Sequence, residues 1–125
     1  MNKLTKLFIT FISAITLMLS SMSSSFAKVD GEYIVLGAAI SLTGKYSSNG
    51  VHTQNGYNLA VDRINKMGGV EVQGKKYKFE IIYYDDESNP KRAAQLAERL
   101  INQDGVKYML GPYSSGLTTV SYTHL

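Results

Sequence analysis

Tyr33-Ile34-Val35-Leu36-Gly37-Ala38-Ala39 is almost continuously apolar and partly β-branched, which suits a strand covered on both faces, as strands of a parallel sheet are. It runs into Ser41-Leu42-Thr43-Gly44 and a polar loop that extends to Gly50. Downstream, Tyr57, Ala60, Val61 and Ile64 recur at the spacing of an amphipathic helix, with Asp62 and Arg63 pointing elsewhere, and Gly68-Gly69 ends it. A second strand is read in Lys76-Tyr77-Lys78-Phe79-Glu80-Ile81-Ile82-Tyr83-Tyr84, which begins with strict alternation and turns fully apolar before Asp85-Asp86-Glu87 stops it. Ser88 or Asn89 can cap the next helix, and Pro90 fits its first turn, where a missing N–H costs nothing. Ala93, Leu96, Ala97, Leu100 and Ile101 form the buried face of that helix, and Gly105 is its left-handed terminator. Val106-Lys107-Tyr108-Met109-Leu110 is a third short strand, opening onto Gly111-Pro112-Tyr113-Ser114-Ser115-Gly116.

Strand, helix, strand, helix, strand predicts an α/β fold: a parallel, doubly wound sheet with right-handed crossovers and helices on both faces. Ligands of such sheets sit beyond the carboxyl ends of the strands. That directs attention to three loops, residues 41–50, 85–89 and 111–116.

The ends of the chain set its class. Lys3 and Lys6 precede thirteen uncharged residues, 7–19, and then a small, polar stretch closing on Ser25-Phe26-Ala27. This is the layout of a secretory signal peptide cleaved after Ala27, and its apolar run falls short of the roughly 18–20 residues a membrane span needs. Residues 28–125 are therefore expected in the periplasm, without stable membrane insertion after cleavage. Loss of Lys3 and Lys6 takes the 13 basic residues to 11 against 10 acidic ones. The mature chain is nearly neutral, its lysines form no basic stripe, and nucleic acid is excluded as a partner. With no cysteine, the exported part has neither disulfide nor thiolate metal site, and no N-terminal cysteine to carry a lipid.

Within the loops, Ser114 and Ser115 stand where a new helix should begin near Leu117. Free N–H groups at a helix start attract anions, so a solute carboxylate can bond the Ser115 hydroxyl and neighbouring N–H groups. Either serine also fits as a cap of that helix, and the sequence leaves both roles open. Tyr46 and Asn49 can cover or hydrogen-bond a ligand at the first strand's end, or be ordinary loop residues. Loop 42–50 lacks the glycine spacing of either nucleotide fingerprint. Asp85-Asp86-Glu87 suits a structural role better than a metal site, because three consecutive side chains do not readily converge and no His or Cys lies at ligand spacing. His52 and His124 are the only histidines, no serine lies in a Gly-x-Ser-x-Gly elbow, and no thiol is present. No enzyme, metal or cofactor is therefore expected.

The ordered blocks Ile40-Ser41-Leu42-Thr43-Gly44, Gly50, Asn55-Gly56 with Ala60, Ile64-Asn65 with Gly68-Gly69, Tyr84-Asp85-Asp86 with Asn89-Pro90-Lys91 and Ala94, and Gly111-Pro112-Tyr113-Ser114-Ser115 together span residues 33–120. In sequence and separation they resemble the opening of periplasmic binding proteins for branched-chain amino acids. The resemblance implies the type I periplasmic binding fold, two α/β lobes joined by hinge strands that close on a solute. It also implies delivery of that solute to the membrane permease of an ATP-binding-cassette importer. By the same resemblance Ser115 helps bind the α-carboxylate and the loop around Asn49 faces the solute's side chain; Tyr113 is expected to line the cleft with Asn49, and Ser114 and Tyr46 complete the candidate site. An asparagine stands at position 49 where some relatives carry an aromatic residue, so aliphatic amino acids, other amino acids, amides and urea-like solutes all remain open.

Three segments follow: a signal peptide at 1–27, a partial N-terminal lobe at 28–120, and a tail at 121–125 that is unlike the helix continuing in relatives. Alternatives from other classes are the extracellular ligand-sensing domain of a signalling protein and a secreted α/β hydrolase whose acid and histidine lie downstream.

Overall fold

The computed structural model describes residues 29–30 and 32–123; the expected signal peptide lies outside them. In chain order the elements are β1 (Val29–Asp30), β2 (Tyr33–Ile40), α1 (Ser47–Lys66), β3 (Val70–Val72), β4 (Lys75–Asp85), α2 (Pro90–Asn102), β5 (Tyr108–Leu110) and α3 (Ser115–Thr123). The apolar run at 33–39 is the central strand. β2 pairs in parallel with β4 from Tyr33 opposite Lys78 to Ile40 opposite Asp85, and in parallel with β5 from Leu36 opposite Tyr108 to Ala38 opposite Leu110.

Alternation along β2 divides the core into two layers. On one face Val35 and Ala39 pack with Leu100 and Val106, and Ile82, Tyr84, Leu96 and Met109 border them. Gly37 lies between Val35 and Ala39 on this face. A side chain there would meet Met109 Sδ at 2.9 Å and Leu100 at 3.2 Å, so its absence lets α2 approach the sheet. On the other face α1 covers β4, where Tyr83 donates its hydroxyl to Asn58 Oδ1 at 2.8 Å. Helices thus lie on both faces, as the sequence predicts. Leu100 and Val106 are fully buried, each contributing about 1.5–3 kcal/mol relative to an exposed position.

Four boundaries differ from the sequence reading. The sheet is mixed: β1 pairs antiparallel with β2, and β3 forms an antiparallel hairpin with β4 through Gln73 and Gly74, both at positive φ. The two-residue turn with positive φ at both positions matches the right-handed twist of hairpin strands, although Gln73 is not a residue that announces it. Helix α1 begins at Ser47, not near Tyr57, so Ser47, Ser48, Asn49 and Gly50 are its first turn and not a loop. Here a tertiary contact overrides propensity: a Cβ at Gly50 would come within 1.8 Å of the Ser41 carbonyl oxygen. Only glycine allows that approach, and it anchors the helix start on the end of β2. The third strand begins at Tyr108, leaving Val106 as a buried plug before it. Finally, α3 starts at Ser115 and takes in Ser121 and Thr123, whose hydroxyls donate to the carbonyls of Leu117 and Thr119 four residues earlier.

Helix α2 matches its sequence signals closely. Asn89 is the N-cap, its Oδ1 accepting from Arg92 N at 3.2 Å, Pro90 opens the helix, and Gly105 sits at φ 69° beyond its end. No helix among the described residues is long and apolar enough to cross a membrane.

Candidate functional site

Because Ile40 lies opposite Asp85, the residues just after β2 and β4 leave the sheet side by side and bond to one another. Asp85 Oδ1 accepts from the backbone N–H of Leu42 at 2.9 Å, Thr43 at 3.2 Å and Glu87 at 2.9 Å, and Oδ2 accepts from the Thr43 hydroxyl at 2.7 Å. Burial pushes the Asp85 carboxyl upward, but the bonds from the Thr43 hydroxyl and from the N–H groups of Glu87, Thr43 and Leu42 outweigh it and hold the group below its ordinary value. Asp86 turns the other way: fully buried, it accepts from the Ser41 hydroxyl at 2.6 Å and from Ser88 N at 2.7 Å. The adjacent acids thus serve two different junctions and do not converge, and among the described residues no group of three or more His, Cys, Asp or Glu is placed to hold a metal ion.

Ser88 completes the lock. Its hydroxyl donates to the Thr43 carbonyl at 2.8 Å and accepts from Tyr46 N at 3.0 Å. To reach that position the chain carries Glu87 and Ser88 at φ 54° and 61°, a left-handed conformation that costs non-glycine residues energy and persists where surrounding bonds enforce it. Gly44 faces this turn at φ 79°, and a Cβ there would fall 2.7 Å from the Glu87 carbonyl oxygen. Arg92, in the first turn of α2, closes the outside through Nε to the Asp85 carbonyl at 3.1 Å and an exposed ion pair to Glu87 at 3.3 Å. The result is a braced loop that fixes Tyr46 at the entrance to α1.

The five residues singled out in the sequence separate into four kinds. Tyr46 and Tyr113 come together across the strand ends, ring centroids 6.2 Å apart and planes tilted by 52°. Lys45 Nζ lies 4.7 Å from the centroid of the Tyr46 ring. Ser114 is the cap of α3, its Oγ accepting from Leu117 N at 3.2 Å. Ser115 is exposed, and its hydroxyl has no hydrogen-bond partner among the described residues. Of the two adjacent serines, Ser114 takes the capping role. Asn49 is half-buried in the first turn of α1, where its carbonyl accepts from the Thr53 hydroxyl at 2.9 Å. On the other side, Tyr57 reaches from α1 to donate to the Gly111 carbonyl at 2.8 Å, tying α1 to the start of the 111–116 loop.

Ser41, Thr43, Asp85 and Ser88, which hold the loops, were not singled out for the site. Their partners lie 42–45 residues away in sequence; the available signal was the run of hydroxyl and acidic residues directly after both strands.

The family model described as periplasmic binding protein matches residues 33–123. The chain belongs to the periplasmic binding protein family. Among relatives, the Leu/Ile/Val-binding protein BraC3 of Rhizobium johnstonii is 35% identical over 95 residues, 76% of this chain and 24% of that protein. The substrate binding protein LivJ of a Streptococcus pneumoniae branched-chain amino acid transporter, solved with isoleucine, superposes with a TM-score of 0.64 at 31% identity, covering 72% of this chain and 25% of that one. A solute binding protein of an ABC transporter from Rhodopseudomonas palustris, solved with 3,4-dihydroxy benzoic acid, gives 0.58 at 28% identity, covering 72% and 23%. This member of the periplasmic binding protein family thus spans about a quarter of the length of the relatives it matches. Its fold is the type I periplasmic binding fold, seen here as part of one lobe.

Proposed function

We propose that this chain is part of a periplasmic receptor that captures an amino acid, branched-chain or related, and delivers it to the permease of an ATP-binding-cassette importer. The observation that supports the reading is that Ser114 caps α3 while the Ser115 hydroxyl does not. Ser114 is consumed in capping α3, while the Ser115 hydroxyl and the first N–H groups of α3 stay open beyond the carboxyl ends of the strands. A carboxylate set there accepts charge-assisted bonds in the field of a helix start. The ligands of the two solved relatives, isoleucine and 3,4-dihydroxy benzoic acid, share a carboxylate and differ in all else, which supports the carboxylate as the common handle. Capture then favours the closed arrangement of two lobes to the extent that the solute binds it more tightly than the open one.

The receptor does no chemistry on its solute. It is exported by the segment 1–27, so the protein recovered from the periplasm starts at Lys28, which N-terminal sequencing reads directly. Calorimetric titration of the full-length protein with amino acids tests the binding role. Ser115→Ala weakens every amino acid by about tenfold or more, the worth of one hydrogen bond to a charged group. Failure of all amino acids and amides to bind would remove the proposal.

A further inference from the structure

We infer that the preferred solute of this cleft carries an aromatic side chain, selected by Tyr113 with Tyr46 behind it; this deepens the receptor reading above and rests on it. Tyr46 is not a casual surface residue. Its backbone N–H is held by the Ser88 hydroxyl at the junction of β2 and β4, and its ring meets that of Tyr113. Tyr113 comes from the loop after β5, two residues before Ser115, and 49% of it is exposed. Two rings from different strand ends therefore meet at 6.2 Å, one of them two residues along the chain from Ser115.

The chemistry of that surface discriminates among side chains. A solute ring laid against Tyr113 gains edge-to-face or offset contact with a tilted pair in addition to the area it buries, whereas an aliphatic side chain gains the area alone. Cationic side chains are disfavoured. Lys45 already holds the cation position over the Tyr46 ring at 4.7 Å, and a second positive charge beside it meets repulsion in place of a vacant ring face. Neutral rings meet no such obstacle. The surface thus favours phenylalanine-like solutes over leucine-like ones, and both over lysine-like ones.

The test is calorimetry on the full-length protein with L-phenylalanine, L-leucine and L-lysine, on the unmodified protein and on Tyr113→Leu, Tyr113→Phe and Ser115→Ala, each checked for folding by its thermal melt. Phenylalanine should bind about tenfold more tightly than leucine, with lysine weakest. Tyr113→Leu should bring phenylalanine and leucine to within about twofold of each other, and Tyr113→Phe should keep the preference. Ser115→Ala should weaken both by the same factor. Leucine binding as tightly as phenylalanine, or a Tyr113→Leu protein that keeps the full preference, overturns the aromatic selectivity while leaving the receptor reading intact. Absence of binding by all three, and by other amino acids, overturns both.

Discussion

Asp85 shows how one side chain braces the junction of two strand ends. Four donors converge on it, two of them from Thr43, and the loop between β2 and α1 has no hydrogen-bonded ladder of its own to replace them. Asp85→Asn keeps the shape and removes the charge, turning charge-assisted bonds into weaker neutral ones. A loss of about 1–2 kcal/mol is expected at neutral pH, measured by urea unfolding. The sign of the pH dependence follows from the lowered folded-state value. The stabilisation is complete above the ordinary aspartate value of about 3.9 and is lost as pH falls through the lower folded value. The unmodified protein should therefore lose stability more steeply than Asp85→Asn as pH drops below about 4, and parallel acid profiles would contradict this role. In the sequence Asp85 was legible as structural, but not as the anchor of Leu42 and Thr43, because the pairing register that brings them together is a property of the sheet.

Among the elements, α1 and α2 make a useful contrast. Helix α2 announces itself by cap, proline and an apolar face whose alanines and Leu100 are buried. The first turn of α1 carries no side-chain cap and reads Ser-Ser-Asn-Gly; it forms because Gly50 packs on Ser41 and Tyr46 is held by Ser88. The far end of α1 is tied to the sheet in a way periodicity does not reveal. Asn65 donates Nδ2 to the Phe79 carbonyl and accepts from Phe79 N at Oδ1, both at 2.8 Å. Phe79 is paired to β2 on one side, and beyond the short hairpin with β3 the amide of Asn65 takes the place of a neighbouring strand on the other. Asn65→Ala leaves both backbone groups of Phe79 without that partner and should cost about 1–3 kcal/mol. Hydrogen exchange reads it locally: the Phe79 amide should lose protection more than amides in α2, and unchanged exchange at Phe79 would refute the strand-like role.

For the whole molecule, packing is unevenly distributed. β4 and β2 are paired along eight residues, whereas β5 pairs with β2 over three and has no second strand among the described residues. Helix α3 packs on α2, and its Leu117 and Ser121 are buried. Its hydroxyls bond back to carbonyls four residues earlier, which adds little to helix stability. Residues 28–125 produced alone should consequently melt broadly, without a sharp cooperative transition by circular dichroism, because the outer edge of β5 and the exposed side of α2 and α3 lack covering partners. A single steep transition would overturn this expectation.

The order of the main strands and helices and the parallel character of the central sheet were determined by the sequence alone, since apolar runs, helical spacing and caps act over short distances that any reader of the chain can see. The start of α1 and the meeting of Tyr46 with Tyr113 were decided by tertiary structure. Both depend on which groups come within reach once β2, β4 and β5 lie side by side, and no local pattern encodes contacts between residues more than forty positions apart.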